Sequence, residues 1–202
     1  MEKNRSNNDN EIDSFFDLVE KRVSVRQFKS TPIPQTDLHK ILNAARHYPN
    51  SGNQQACRYL IVQNRDKLDS LKDACKETRA TVLEARGDEV PSEESLRKYY
   101  DKIFSAPLYV LVLVDKTVRF KGYEDKDGAL AASYIMLGAR ALGYGTVFYT
   151  DSIPEDVCMT ELEIPEKYSR TCIIPIGVPE KWPDNSRRIP IEELVYYEKI
   201  SG

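Results

Sequence analysis

Apolar residues Ile12, Phe15, Phe16 and Val19 recur at three- and four-residue intervals, the spacing of an amphipathic helix that ends near Lys21. Upstream, residues 1–10 are polar and Asn-rich, so a flexible N-terminal arm is expected before a single domain spanning 11–202. From Arg22 to Phe28 the period changes to two, and the β-branched valines favour an extended backbone. The Pro-rich turn at Thr31–Pro34 then leads to Thr36, a candidate N-cap for a helix that places Leu38, Ile41, Leu42 and Ala45 on one face and stops before Pro49.

Downstream the pattern predicts a buried strand over Arg58–Gln63, a helix from Asp66 to about Glu77 and a strongly apolar strand over Leu108–Asp115. Between them, residues 84–102 are crowded with charge and broken by Gly87 and Pro91, which fits either a solvated helix or a lid. Asp127–Leu142 reads as a helix with small residues at Ala129, Ala131, Ala132, Gly138 and Ala139, ending at Gly143. A short strand is expected over Thr146–Tyr149, followed by a helix opened by Asp151 or Ser152 with Pro154 just inside it. Thr171–Gly177 is the last core strand, placed at an edge or bulged because Pro175 has no N–H to give a ladder.

Composition narrows the class of protein. With 41% hydrophobic and 30% charged residues the chain reads as a soluble globular protein. The net charge of −3 argues against a broad basic surface, so no nucleic-acid partner is expected and any arginine cluster has to be read locally. No apolar run approaches the ~20 residues of a membrane helix and the N-terminus has no signal-peptide core, so no membrane is expected and the location is read as cytoplasmic. Cys57, Cys75, Cys158 and Cys172 lie far apart and read as buried, reduced thiols. His39 and His47 have no third ligand in view, so no metal is expected.

Two features could carry chemistry. Arg22, Ser24 and Arg26 alternate along the extended segment, with Val23 between, so the two guanidiniums and the hydroxyl share one side. Guanidinium forks bind phosphate through paired charge-assisted hydrogen bonds, yet the triplet alone equally suits a solvated strand face. Tyr48-Pro-Asn-Ser-Gly-Asn-Gln-Gln55 is a polar loop set between a helix and a strand, offering directed hydrogen bonds as well as an ordinary turn. Gly143-Tyr-Gly145 follows a helix and has Phe148 where a third glycine would stand, so it reads as a helix stop and not a nicotinamide fingerprint.

Taken in order, Arg22-Val-Ser-Val-Arg26 followed by Pro49-Asn-Ser-Gly-Asn-Gln-Gln55 resembles the N-terminal signature of the nitroreductase family. The likeness continues through Arg58–Gln63, Ala106-Pro107, Ala132–Gly145 and Arg188–Val195, covering roughly residues 12–197. It implies an α+β three-layer fold, a central mixed sheet flanked by helices, with FMN held at a homodimer interface. By the same resemblance Arg22, Val23 and Ser24 would hold the phosphate and ribityl region, Arg26 would reach the pyrimidine edge, and Arg188 would add a third cation. Pro49, Asn50, Ser51 and Asn53 would come from the neighbouring subunit, and backbone groups of Phe148, Tyr149 and Thr150 would face the flavin ring. The implied activity is a ping-pong oxidoreductase that takes hydride from NADH or NADPH and reduces nitroaromatics, quinones or similar small electron acceptors. No catalytic side chain is needed, because flavin N5 carries the hydride. The same scaffold also suits dehalogenation, ring reduction, oxidation or flavin binding without catalysis. Ala56-Cys57 departs from the Pro-Trp frequent in the family at that point, and Ser186 from the basic residue frequent two positions before the tail arginine.

Overall fold

Strand β2 (Leu108–Asp115) organises the molecule. Its even-numbered residues Leu108, Val110, Val112 and Val114 enter one apolar core and Tyr109, Leu111 and Leu113 enter another. The seven-residue apolar run Leu108–Val114 is the signature of a strand covered on both faces. The computed structural model describes residues 14–200; the expected arm over 1–10 and Ile12 lie outside the described residues.

Helices α2 (Gln35–Ala45) and α5 (Glu124–Ala141) cover one face of the sheet. Helices α3 (Arg65–Arg86), α4 (Glu93–Ile103) and α6 (Glu155–Glu161) cover the other, which makes three layers. A further helix, α1, occupies 14–21. The sheet runs β1 (Cys57–Val62), β2, β4 (Tyr168–Gly177), β3 (Gly145–Thr146), with antiparallel neighbours throughout. One parallel bridge, Ser24 to Thr146, makes it mixed. The fold is thus the expected α+β sandwich.

Several boundaries moved for identifiable reasons. Thr36 does not cap α2; the cap position is Pro34, and Thr36 lies in the first turn. Helix α3 continues well past Glu77 to Gly87, whose left-handed backbone (φ 74°) ends it. The stretch 84–102 belongs largely to the packed structure, because α4 is capped by Ser92 and buries Leu96, Tyr100 and Ile103. Helix α6 starts after Pro154, which takes the cap position, and α5 starts at Glu124.

The sharpest difference concerns β4, which is an interior strand between β2 and β3 despite Pro175. Gly145 pairs with Gly177 and Tyr149 bonds to Ile173 in both directions, so in that register Val147 stands opposite Pro175. The ladder is interrupted there, where the proline has no donor to offer. The interior strand is therefore locally an edge.

Helices α2 and α5 pack with Gly138 of α5 against Ile41 and Ala44 of α2, where a Cβ at Gly138 would lie in ordinary contact, 3.6 Å from the Ile41 Cα. Ile135, on the same buried side of α5, is 0% exposed. Ile135→Ala is expected to destabilise the fold by about 2–5 kcal/mol through the cavity it leaves. Val82→Ala, on the exposed side of α3, should change stability by less than about 0.5 kcal/mol. Urea unfolding midpoints would check the pair.

Candidate functional site

The extended segment after α1 aligns beside β3. The Val25 N–H donates to the Thr146 carbonyl at 2.9 Å, and Val23 and Val25 are buried in the core. The alternation therefore turns Arg22, Ser24 and Arg26 to the opposite side, half-buried or exposed. Among the described residues neither arginine pairs with an acid. Val23 directs its side chain into the core, so it offers only backbone to that side.

The chain passes from β3 to residues 147–150. Both backbone groups of Tyr149 are committed to Ile173. Among the described residues the N–H groups of Phe148 and Thr150 have no acceptor in the protein, which leaves these two free for a ligand. The Tyr149 hydroxyl is held above the ordinary phenol range by burial, with the Arg26 guanidinium pulling it back and Tyr99 adding to the rise. Arg26 and Tyr149 therefore feel each other, and Tyr99 of α4 faces the same region. Arg79 of α3 stacks on Tyr99 at 5.4 Å. Arg188 lies exposed in the C-terminal tail, and its guanidinium donates to the Ser186 carbonyl at 3.5 Å.

The polar loop between α2 and β1 folds into a 3-10 turn, Ser51–Asn53. The Asn50 amide is used inside the loop, donating to the Tyr48 carbonyl and accepting from Gln55 N–H at 2.8 Å. Ser51 donates through N–H and Oγ to Asp127 at the start of α5, each at 3.2 Å. Pro49 and Asn53 are exposed and remain available to a partner or ligand. Asp127 and Phe120, which hold the turn, were missed in the sequence. An aspartate opening a helix looks like an ordinary first-turn acid, and the contact spans 76 residues.

Loop and arginines sit at opposite ends of α5. The loop is fixed at Asp127, whereas the Arg22–Arg26 segment joins the chain just beyond the helix C-terminus, at Thr146. At 1.5 Å per residue these ends are about 20 Å apart. One chain alone does not wrap both around a single small molecule.

Comparison with known proteins matches residues 19–178 to the model of the nitroreductase family. The chain belongs to the nitroreductase family. Among relatives of this nitroreductase-family chain, an iodotyrosine deiodinase from Thermotoga neapolitana is 30% identical over 185 residues, 89% of this chain and 95% of the relative. A solved iodotyrosine deiodinase bound to FMN and 3-iodo-L-tyrosine superposes with a TM-score of 0.76 at 25% identity, covering 92% of this chain and 100% of that one. An FMN-dependent nitroreductase from Clostridium difficile R20291 gives a TM-score of 0.70 at 25% identity, covering 91% and 98%.

Cys57, the departure next to the loop, is buried at the start of β1, and its N–H faces the Tyr48 hydroxyl at 3.4 Å. Burial pushes its thiol up to about 11, so it is packing and not a nucleophile. Burial likewise pushes Cys75 and Cys172 up to about 12 and Cys158 up to about 11. Groups whose folded values are raised contribute stability that is complete below the unfolded thiol value of roughly 8.5 and is lost as pH rises through the folded values. Stability is therefore expected to fall as pH rises above about 8.5 toward the folded values near 11 and 12, read from unfolding midpoints. A thiol reagent at pH 8 should label the native protein slowly and all four cysteines after denaturation.

Proposed function

We propose that this protein is a homodimeric FMN-dependent oxidoreductase that draws reducing equivalents from NADH or NADPH and passes them to a small electron-poor organic molecule. The observation that carries the reading is the placement of two arginines and a serine on one side of a segment bordered by free backbone N–H groups. That set fits a phosphate dianion joined to a flat heterocycle: forked cations for the phosphate, amide donors for the ring edge. Arg22 and Ser24 hold the phosphate and ribityl end, and Arg26 lies toward the pyrimidine edge. The chemistry FMN supplies when bound is reversible two-electron transfer, and a guanidinium near its pyrimidine favours the reduced, more negative form.

The 20 Å separation along α5 supports a two-chain site, in which Pro49 to Asn53 of one protomer close over the arginines of the other. Exposed apolar side chains support the same assembly. Phe15, Phe16 and Val19 on α1, and Ile189, Ile191 and Leu194 on the tail, are uncovered in the single chain. In the dimer the tail carries Arg188 toward the partner's phosphate site.

Among acceptors, the two readings are a nitroaromatic or quinone, and a halogenated phenol. The second is favoured by the 30% identity with the Thermotoga deiodinase across nearly its whole length. In that reaction a carbon–iodine bond is replaced by carbon–hydrogen, iodide leaves, and the nicotinamide is oxidised. With both acceptors the protein positions an aromatic ring over the flavin, and Tyr99 provides an aromatic wall.

Purified protein is expected to be yellow, to bind FMN stoichiometrically and to have twice the chain mass in solution. Arg22→Ala should weaken FMN binding roughly 10- to 100-fold, the value of a lost charge-assisted hydrogen bond, read by flavin fluorescence quenching. Anaerobic turnover of 3-iodotyrosine against a nitroaromatic, with each nicotinamide, selects between the acceptors. Protein that neither carries nor takes up FMN would remove the proposal.

A further inference from the structure

The loop expected to face the flavin reaches its shape through one buried carboxylate. Asp127 is 2% exposed and lies in the first turn of α5, where the free N–H groups of a helix start favour an anion. Among the described residues it has no cationic partner. Its Oδ1 takes both donors of Ser51, and its Oδ2 takes the Gln54 amide at 3.2 Å. The Gln54 amide cannot turn over, because its nitrogen also donates to the Phe120 carbonyl at 3.2 Å and its oxygen accepts from the Phe120 N–H at 3.0 Å. All three groups aimed at Asp127 are donors, so only a group that accepts on both oxygens satisfies them.

The turn so held is strained at one position. Gly52, Asn53 and Gln55 have φ of 56°, 51° and 50°, a region that glycine and asparagine visit readily and glutamine rarely does. The Phe120 ring lies over Gly52, where a Cβ would be only 2.0 Å from it. Such a backbone persists only when its surroundings over-determine it. With the Asn50 amide engaged inside the loop, Pro49 and Asn53 project outward from a turn whose orientation Asp127 fixes.

We infer that Asp127 is the positioning residue that sets the Pro49–Asn53 loop for contact with the cofactor, by accepting from Ser51 and Gln54 across the start of α5. This rests on the FMN-binding reading and adds to it a residue that itself touches no ligand. An asparagine there must turn its NH2 toward either Ser51 or Gln54, setting donor against donor.

The test is FMN affinity by fluorescence quenching, together with the visible circular dichroism of bound FMN, which reports the asymmetry of the ring's surroundings. Asp127→Asn is expected to weaken binding about 10-fold or more and to alter the visible spectrum. Ser51→Ala should weaken it several-fold with a spectral change in the same direction, and the double variant should be no weaker than Asp127→Asn alone. Asp125→Asn, which removes an exposed charge from the same helical turn, should match the wild type. Wild-type affinity and spectrum in Asp127→Asn and Ser51→Ala would overturn the inference and leave the FMN reading standing. Equal weakening by Asp125→Asn, or additive losses in the double variant, would also overturn it. If Asp127→Asn does not fold, Gln54→Leu, which removes a donor to Asp127 at a residue outside the set expected to face the cofactor, decides instead, with weakened binding and an altered spectrum expected and wild-type values overturning the inference. Wild-type protein that binds no FMN overturns both.

Discussion

Burial of β2 on both faces is the constraint from which the rest of the molecule follows. A strand with no solvent side needs a helical layer above and below, and the alternation of its residues assigns α2 and α5 to one layer and α3, α4 and α6 to the other. Helix α5 spans its face of the sheet, and its length sets the distance between the two functional ends. The Arg22–Arg26 segment, docked at Thr146, and the loop tied to Asp127 are held apart by a rigid rod. On the proposed two-chain reading, separation of this kind turns a structural element into a rule of assembly, each chain supplying one half of the site.

The electrostatics of the two ends differ in kind. At the Thr146 end two guanidiniums without acidic partners stand beside free backbone N–H groups, a locally positive surface on a chain of net charge −3. At the Asp127 end a buried carboxylate gathers three donors and leaves a rigid, neutral turn outside. Cations suited to an anion face solvent, while the anion is hidden as a fastener.

Much of this was legible in the sequence where it depends on local rules. The alternation from Arg22 to Phe28 placed the two valines inward and Arg22, Ser24 and Arg26 outward. The apolar run at Leu108–Asp115 marked a strongly apolar strand, whereas Arg58–Gln63, expected to be buried, lies at the sheet edge with Arg58–Ile61 partly exposed because only β2 pairs with it. Where it failed, long-range contacts had the last word. Helix α3 outran its predicted end because polar helix formers continue on the exposed side after the apolar ones stop. Residues 84–102 read as a solvated helix or a lid, and the helix is there over 93–103, but its inward face of Leu96, Tyr100 and Ile103 was hidden among the charges. The shape of the 49–55 loop could not be read at all, since its restraints come from Phe120 and Asp127, far along the chain.

Pro175 in the sequence points to an edge or a bulge, and in the fold it makes a local edge inside the sheet. A residue with an N–H at that place could bond to the Val147 carbonyl and allow the two strands to zip together from Gly145 through Tyr149. The imino acid thus leaves the Val147 carbonyl without a donor from β4 and keeps 147–148 out of the regular ladder. The stretch from Gly145 to Tyr149 is pinned to its neighbour at both ends and unpaired in the middle, so a single residue in one strand sets where the next one may bend.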